Sequence, residues 1–87
     1  MMDEYGVAAF RSRQQVLRFE AALRQCGVPT SIVTTPRDIS MGCGLSVRFP
    51  LERAQEVRRT MRASNPGNLI GLYRAEYDGA RLRVSPL

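Results

Sequence analysis

The run Thr35-Pro36-Arg37-Asp38-Ile39-Ser40-Met41-Gly42-Cys43-Gly44 brings together a thiol, two flanking glycines and a guanidinium. A cysteine of ordinary pKa, near ~8.5, is only about 3% thiolate at neutral pH, so a nucleophilic one needs a neighbouring cation or converging backbone N–H groups. Both are available here. Arg37 stands at the opposite end of the run, and Gly42 and Gly44 permit the dihedrals that turn consecutive amides toward one point. The chain contains no histidine, which leaves no obvious general base for turnover on a small substrate. Transfer of a group onto and off a thiolate therefore fits better than hydrolysis, and the chain reads as a transfer partner more than as a self-sufficient enzyme. Spacing alone leaves a second reading open, in which the glycines shape a turn and Cys43 is a small hydrophobe packed beneath it.

The other thiol, Cys26, falls on the apolar stripe of a helix and is expected to serve packing; a Cys26–Cys43 redox pair is the less favoured use. Two cysteines without histidine leave a tetrahedral zinc site incomplete within one chain, so neither a metal nor a cofactor is expected.

The elements that must position Cys43 follow from local pattern. Tyr5 to Phe10 is a short apolar run and predicts a buried first strand. Ser12-Arg13-Gln14-Gln15 matches a capping box and predicts a helix start, with Val16, Phe19, Leu23 and Cys26 on its inner face and Gly27 as its stop. Thr30 to Thr34, rich in β-branched residues after Pro29, predicts a second strand. Leu45 to Phe49 alternates and predicts a third, with one face buried and one exposed. The reactive run is the long loop between them. Pro50 is placed as the first residue of a second helix carrying Leu51, Ala54, Val57 and Met61 inward. Leu69 to Tyr77 predicts a fourth strand, and Asp78-Gly79 a two-residue hairpin into Arg81–Val84. The order β-α-β-β-α-β gives an α+β, ferredoxin-like sandwich: an antiparallel sheet with two helices on one face, plus a C-terminal β-hairpin extension.

Composition bounds the rest. Eighty-seven residues make a single domain, 1–87, and no apolar run approaches the ~20 residues of a membrane span. The acidic start Met1-Met2-Asp3-Glu4 lacks the basic, then apolar, pattern of a secretory signal, so a cytoplasmic location with free thiols is expected. The net charge is +5 and every basic residue is arginine, distributed along the chain without a cluster.

Pro36-Arg37-Asp38-Ile39-Ser40 followed by Cys43-Gly44-Leu45-Ser46-Val47 resembles the central motif of a small bacterial family of selenium/sulfur carrier protein-like domains of unknown function. The similarity takes in Phe10-Arg11-Ser12, the Glu20–Gly27 helix end with Val28-Pro29, and Gly71-Leu72-Tyr73-Arg74. Met41-Gly42 departs from the small, serine-like residues expected before the cysteine, and the Asp78-Gly79 hairpin runs past the usual end of the domain. The resemblance implies that Cys43 holds sulfur or selenium as a persulfide or perselenide, passed from a donor such as a cysteine desulfurase to an acceptor protein. Arg37 would stabilise the anion, Gly42 and Gly44 would set the loop geometry, and Ser40 belongs to the same motif.

Two binding readings stand beside the carrier. A single-stranded nucleic acid could stack on Tyr73 and Tyr77 and pair with Arg74, Arg81 and Arg83, although the central strands carry no aromatic ribonucleoprotein-type motif and nucleic acid is the less expected partner. A small anionic ligand could instead sit on the loop amides and Arg37. A homodimer through a sheet edge is compatible with all three.

Overall fold

The computed structural model describes residues 4–37, 39, 44–64 and 69–87. Its elements are β1 (Glu4–Phe10), α1 (Arg13–Gln25), β2 (Ser31–Thr34), β3 (Leu45–Phe49), a 3-10 turn (Leu51–Arg53), α2 (Ala54–Ser64), β4 (Leu69–Asp78) and β5 (Arg81–Pro86). The five strands form one sheet in the order β2-β3-β1-β4-β5, with every neighbouring pair antiparallel. The architecture is α+β. The terminal hairpin is thus a continuation of the main sheet, with β5 as its outer strand beside β4.

β1 is the middle strand, and Val7, Ala8, Ala9 and Phe10 are all buried because packed layers cover both of its faces. Toward the helices, Ala8, Phe10, Val47 and Phe49 meet Val16, Phe19 and Leu23 of α1 and Val57 of α2. Phe10 and Phe19 sit 5.3 Å apart between ring centroids in a tilted arrangement, a favourable geometry for the ring quadrupoles. Both helices therefore lie on one face of the sheet. On the other face a smaller cluster of Val7, Ala9, Ala75 and Ile39 is bordered by Tyr5, Ile70, Tyr73, Leu82 and Val84.

Several local expectations shift by a residue or change partner. Ser12 occupies the N-cap of α1 in extended conformation, but its side chain makes no capping hydrogen bond. The capping box does not form. At the other end the chain closes in a Schellman motif: the Val28 N–H donates to the Leu23 carbonyl and the Gly27 N–H to the Arg24 carbonyl, each at 3.0 Å, with Gly27 at φ 80°. This motif delivers Val28 to the core beside Leu23, in the place the helical spacing assigned to Cys26. Cys26, as the C-cap residue, is exposed, so its assignment to packing is overturned.

Pro50 is extended and precedes a 3-10 turn, so α2 begins at Ala54 instead of at the proline. Ser46, expected on an exposed face of β3, is fully buried because the loop after β2 covers that side of the sheet. The β4–β5 turn consists of Gly79 and Ala80, one residue later than expected, since Asp78 pairs with Arg81.

Candidate functional site

The loop between β2 and β3 is tied at its base by groups that the strands hold in register. Thr34 pairs with Leu45, and one step further the Thr35 N–H donates to the Gly44 carbonyl at 2.8 Å. Thr35 and Ser46 are both buried, and their hydroxyls lie 2.6 Å apart, so each satisfies the other away from water. Gly44 takes φ 86°, a left-handed conformation that L side chains rarely adopt, which explains a glycine where the loop re-enters the sheet.

The first half of the loop is anchored a second time. The Ile39 N–H donates to the Pro36 carbonyl at 3.0 Å, closing a turn that carries Arg37 on its outside, exposed to solvent. Ile39 itself is only 6% exposed and packs on Val7, Ala9 and Ala75, the helix-free side of the sheet. The described ends of the loop are thus closed, with Ile39 as a buried apolar anchor on its first arm. Of the residues singled out by sequence, Arg37 and Gly44 are thus placed at the two arms of this loop; Ser40, Gly42 and Cys43 lie outside the described residues. Thr35, Ile39 and Ser46, which hold the loop, were not distinguished by sequence, because their roles come from strands that are distant in the chain.

Cys26 belongs to another part of the molecule. α1 starts three residues after the end of β1, at the end of the sheet where β3 begins, and its 13 residues run about 20 Å before reaching Cys26. The Thr60 hydroxyl donates to its sulfur at 3.9 Å. Among the described residues no group of three or more His, Cys, Asp or Glu side chains could hold a metal ion. Nor, among them, is any helix long and apolar enough to cross a membrane.

The hairpin proposed for nucleic acid separates its parts. Tyr73, Ala75 and Tyr77 share the helix-free face with Leu82 and Val84, whereas Arg74 and Arg83 project to the opposite side with Glu76. Arg74 is paired with Glu4 and Glu76, and Arg83 lies 3.6 Å from Asp78. Stacking surface and arginines are therefore divided by the sheet. On the aromatic side the guanidinium of Arg48 stands 4.0 Å over the Tyr5 ring.

Charge is uneven in a way that chain position conceals. The stretches 11–25 and 51–64, which form the helical layer, hold eight arginines and three carboxylates; the remainder of the chain holds five of each. The whole excess of +5 is carried by the helices and their caps. Its counterions gather where α1 ends and α2 begins: Glu20 pairs with Arg24, and Glu56 receives two hydrogen bonds from Arg53, which also reaches the Gly27 carbonyl at 3.3 Å. Hydrogen bonding from Arg53 holds the Glu56 carboxyl below the usual carboxylate range and raises the guanidinium in turn. An open cleft of about 330 Å³ lies at this same end, bounded by Tyr5, Thr30, Ser31, Arg48 and Glu52. It is remote from the loop and was not visible in the sequence, since three separate segments contribute to it.

A family model described as Putative Se/S carrier protein-like matches residues 5–70, from β1 through the first residues of β4. No curated protein and no solved structure matches the chain.

Proposed function

The chain belongs to the Se/S carrier protein-like family, and from that premise we propose that Cys43 carries sulfur or selenium between a donor protein and an acceptor. The observation that supports this most is that the matched span contains the whole Thr35–Gly44 run with its single cysteine. In the sulfur case the Cys43 thiolate attacks the outer sulfur of a persulfide on a donor such as a cysteine desulfurase. The bond between the two donor sulfurs breaks, the donor cysteine leaves as a thiolate, and Cys43 retains an S–S⁻ group. No net oxidation occurs. Transfer to the acceptor repeats the step in the opposite sense. A perselenide is carried in the same way.

The anchored loop suits such a task. Its base is fixed by Thr35, Gly44 and Ser46 and its first arm by Ile39, which limits the ordering that engagement of a partner must add at these positions. Arg37, outside on the turn, is the cation proposed to stabilise the anion. Reduced thiols and a protein donor agree with a cytoplasmic setting. The scaffold we assign is ferredoxin-like, supported by the order βαββαβ and by a β3 that lies between β1 and β2 while β1 lies between β3 and β4.

Mass spectrometry after incubation with a cysteine desulfurase and cysteine tests the proposal. One added sulfur, removable by dithiothreitol, is expected on Cys43 and should persist in Cys26→Ser, which removes the exposed thiol. No added sulfur on the native chain, or equal labelling in Cys43→Ser, overturns it.

A further inference from the structure

The sheet ends in two unlike strands. β5 carries Arg81 and Arg83, both exposed, and ends in Pro86, and such charged residues and prolines discourage further strands from adding. β2, Ser31-Ile32-Val33-Thr34, has neither charge nor proline, and three of its four residues are β-branched. Among the described strands it bonds to β3 alone, leaving its outer backbone groups unpaired. Ile32 is 39% exposed on the helix side of this edge.

One flank of α1 overhangs the same edge. The Thr30 hydroxyl, at the start of β2, donates to Glu20 at 2.7 Å and fixes which side of the helix faces the strand. Arg13, Leu17 and Arg24 lie at seven, three and four residues from Glu20 and so share that side. Leu17 is 50% exposed, the most exposed large hydrophobic side chain among the described residues. Arg37, exposed just past the end of β2, adds positive charge beside the strand.

We propose that β2 is a docking edge on which an extended, acidic segment of another protein adds as a sixth strand, with apolar side chains against Ile32 and Leu17. Backbone pairing supplies the register, as in other strand-addition complexes, and alternate side chains supply the selectivity. The surrounding charge decides the occupant. A second copy of this chain would bring Arg13 and Arg37 against a like-charged surface, whereas carboxylates on an incoming strand meet those arginines. The proposal does not depend on sulfur chemistry at Cys43, although a strand seated here runs beside the chain that leads into the loop.

The test uses the full chain as Cys43→Ser, labelled with ¹⁵N, titrated with a synthetic peptide of alternating glutamate and valine and with its lysine–valine counterpart. Binding of the acidic peptide should shift amide signals at residues 31–34, slow exchange of β2 amides about tenfold or more, and weaken as salt rises. Ile32→Glu and Leu17→Glu, both at exposed positions, should each lower affinity about tenfold while leaving the remaining spectrum unchanged. Equal binding of the lysine peptide, shifts confined to β5 or the helices, or no binding at low salt would overturn the proposal. A β2-paired homodimer of the free chain in sedimentation would also overturn it. Because the variant lacks the Cys43 thiol, failure here is independent of failure in the sulfur-loading experiment.

Discussion

The two faces of the sheet are closed by different means. The helix-side core is a layer of large side chains, Phe10, Phe19, Leu23 and Phe49, sealed by two amphipathic helices. The other face has no helix above it among the described residues, yet Val7, Ala9 and Ala75 are fully buried there. They are small, and their cover is borrowed from Ile39 in the loop, from the tyrosines, and from Leu82 and Val84 on β5. Ala75, Tyr73, Leu82 and Val84 all lie beyond residue 70, where the family match ends. In this chain the C-terminal strands therefore help complete the surface on which the loop is seated. The large apolar side chains are concentrated on one face, and Ile39, the described anchor of the loop, packs on the other.

Phe49→Ala should have the largest effect, destabilising the chain by about 3–5 kcal/mol, because a large aromatic is removed from the closed layer and a cavity is left. Urea or thermal unfolding measures it. Ile39→Ala should cost less, about 2 kcal/mol, since the anchor is a smaller side chain held by a thinner layer. Its distinctive signature is faster proteolysis within the 36–44 loop of the still-folded protein, an effect that Phe49→Ala would produce only through global unfolding. Equal destabilisation by the two, without selective loop cleavage in Ile39→Ala, would abolish the contrast between the faces.

The smallest effect belongs to the outer surface of the helical layer. The Glu56 carboxyl is lowered in the folded state from its ordinary value of 4.5 by the hydrogen bond from Arg53. Its contribution is therefore present above the unfolded-state value and lost as the pH falls through the folded one. Solvent screening keeps it modest. Unfolding midpoints should be insensitive to this pair at neutral pH against mildly acidic pH and should decline below about pH 4.5, less steeply in Glu56→Gln than in the native chain. An identical acid limb in Glu56→Gln would assign the decline to other carboxylates.

Local signals were read well wherever the backbone itself enforces them. Gly27 ends α1, Pro29 precedes β2, and the stripe of Ala54, Val57 and Met61 turns inward as its spacing requires. Strand existence was legible for all five. The expectations that fail concern side-chain partners and burial, which periodicity and chain-breaking residues do not set. Ser12 reads as a capping residue, but its side chain makes no cap. Cys26 reads as core, but Val28 reaches that place through the helix-terminating motif. Ser46 reads as exposed on an alternating strand, and the folded-over loop buries it with Thr35. At the site, the sequence offered the motif and Arg37, while the anchoring trio of Thr35, Ile39 and Ser46 depends on contacts across the sheet.

What the sequence determined by itself was the cysteine-bearing run, the family the chain belongs to, and the succession of strands and helices, since composition, periodicity and chain-breaking residues act over a few neighbours. The tertiary structure decided which edge of the sheet is left unprotected, that the net charge lies on the helices, that tyrosines and arginines of the last hairpin part company, and how the loop is tied down. Each of these is a relation between residues far apart in the chain, fixed only when strand order and register bring them together.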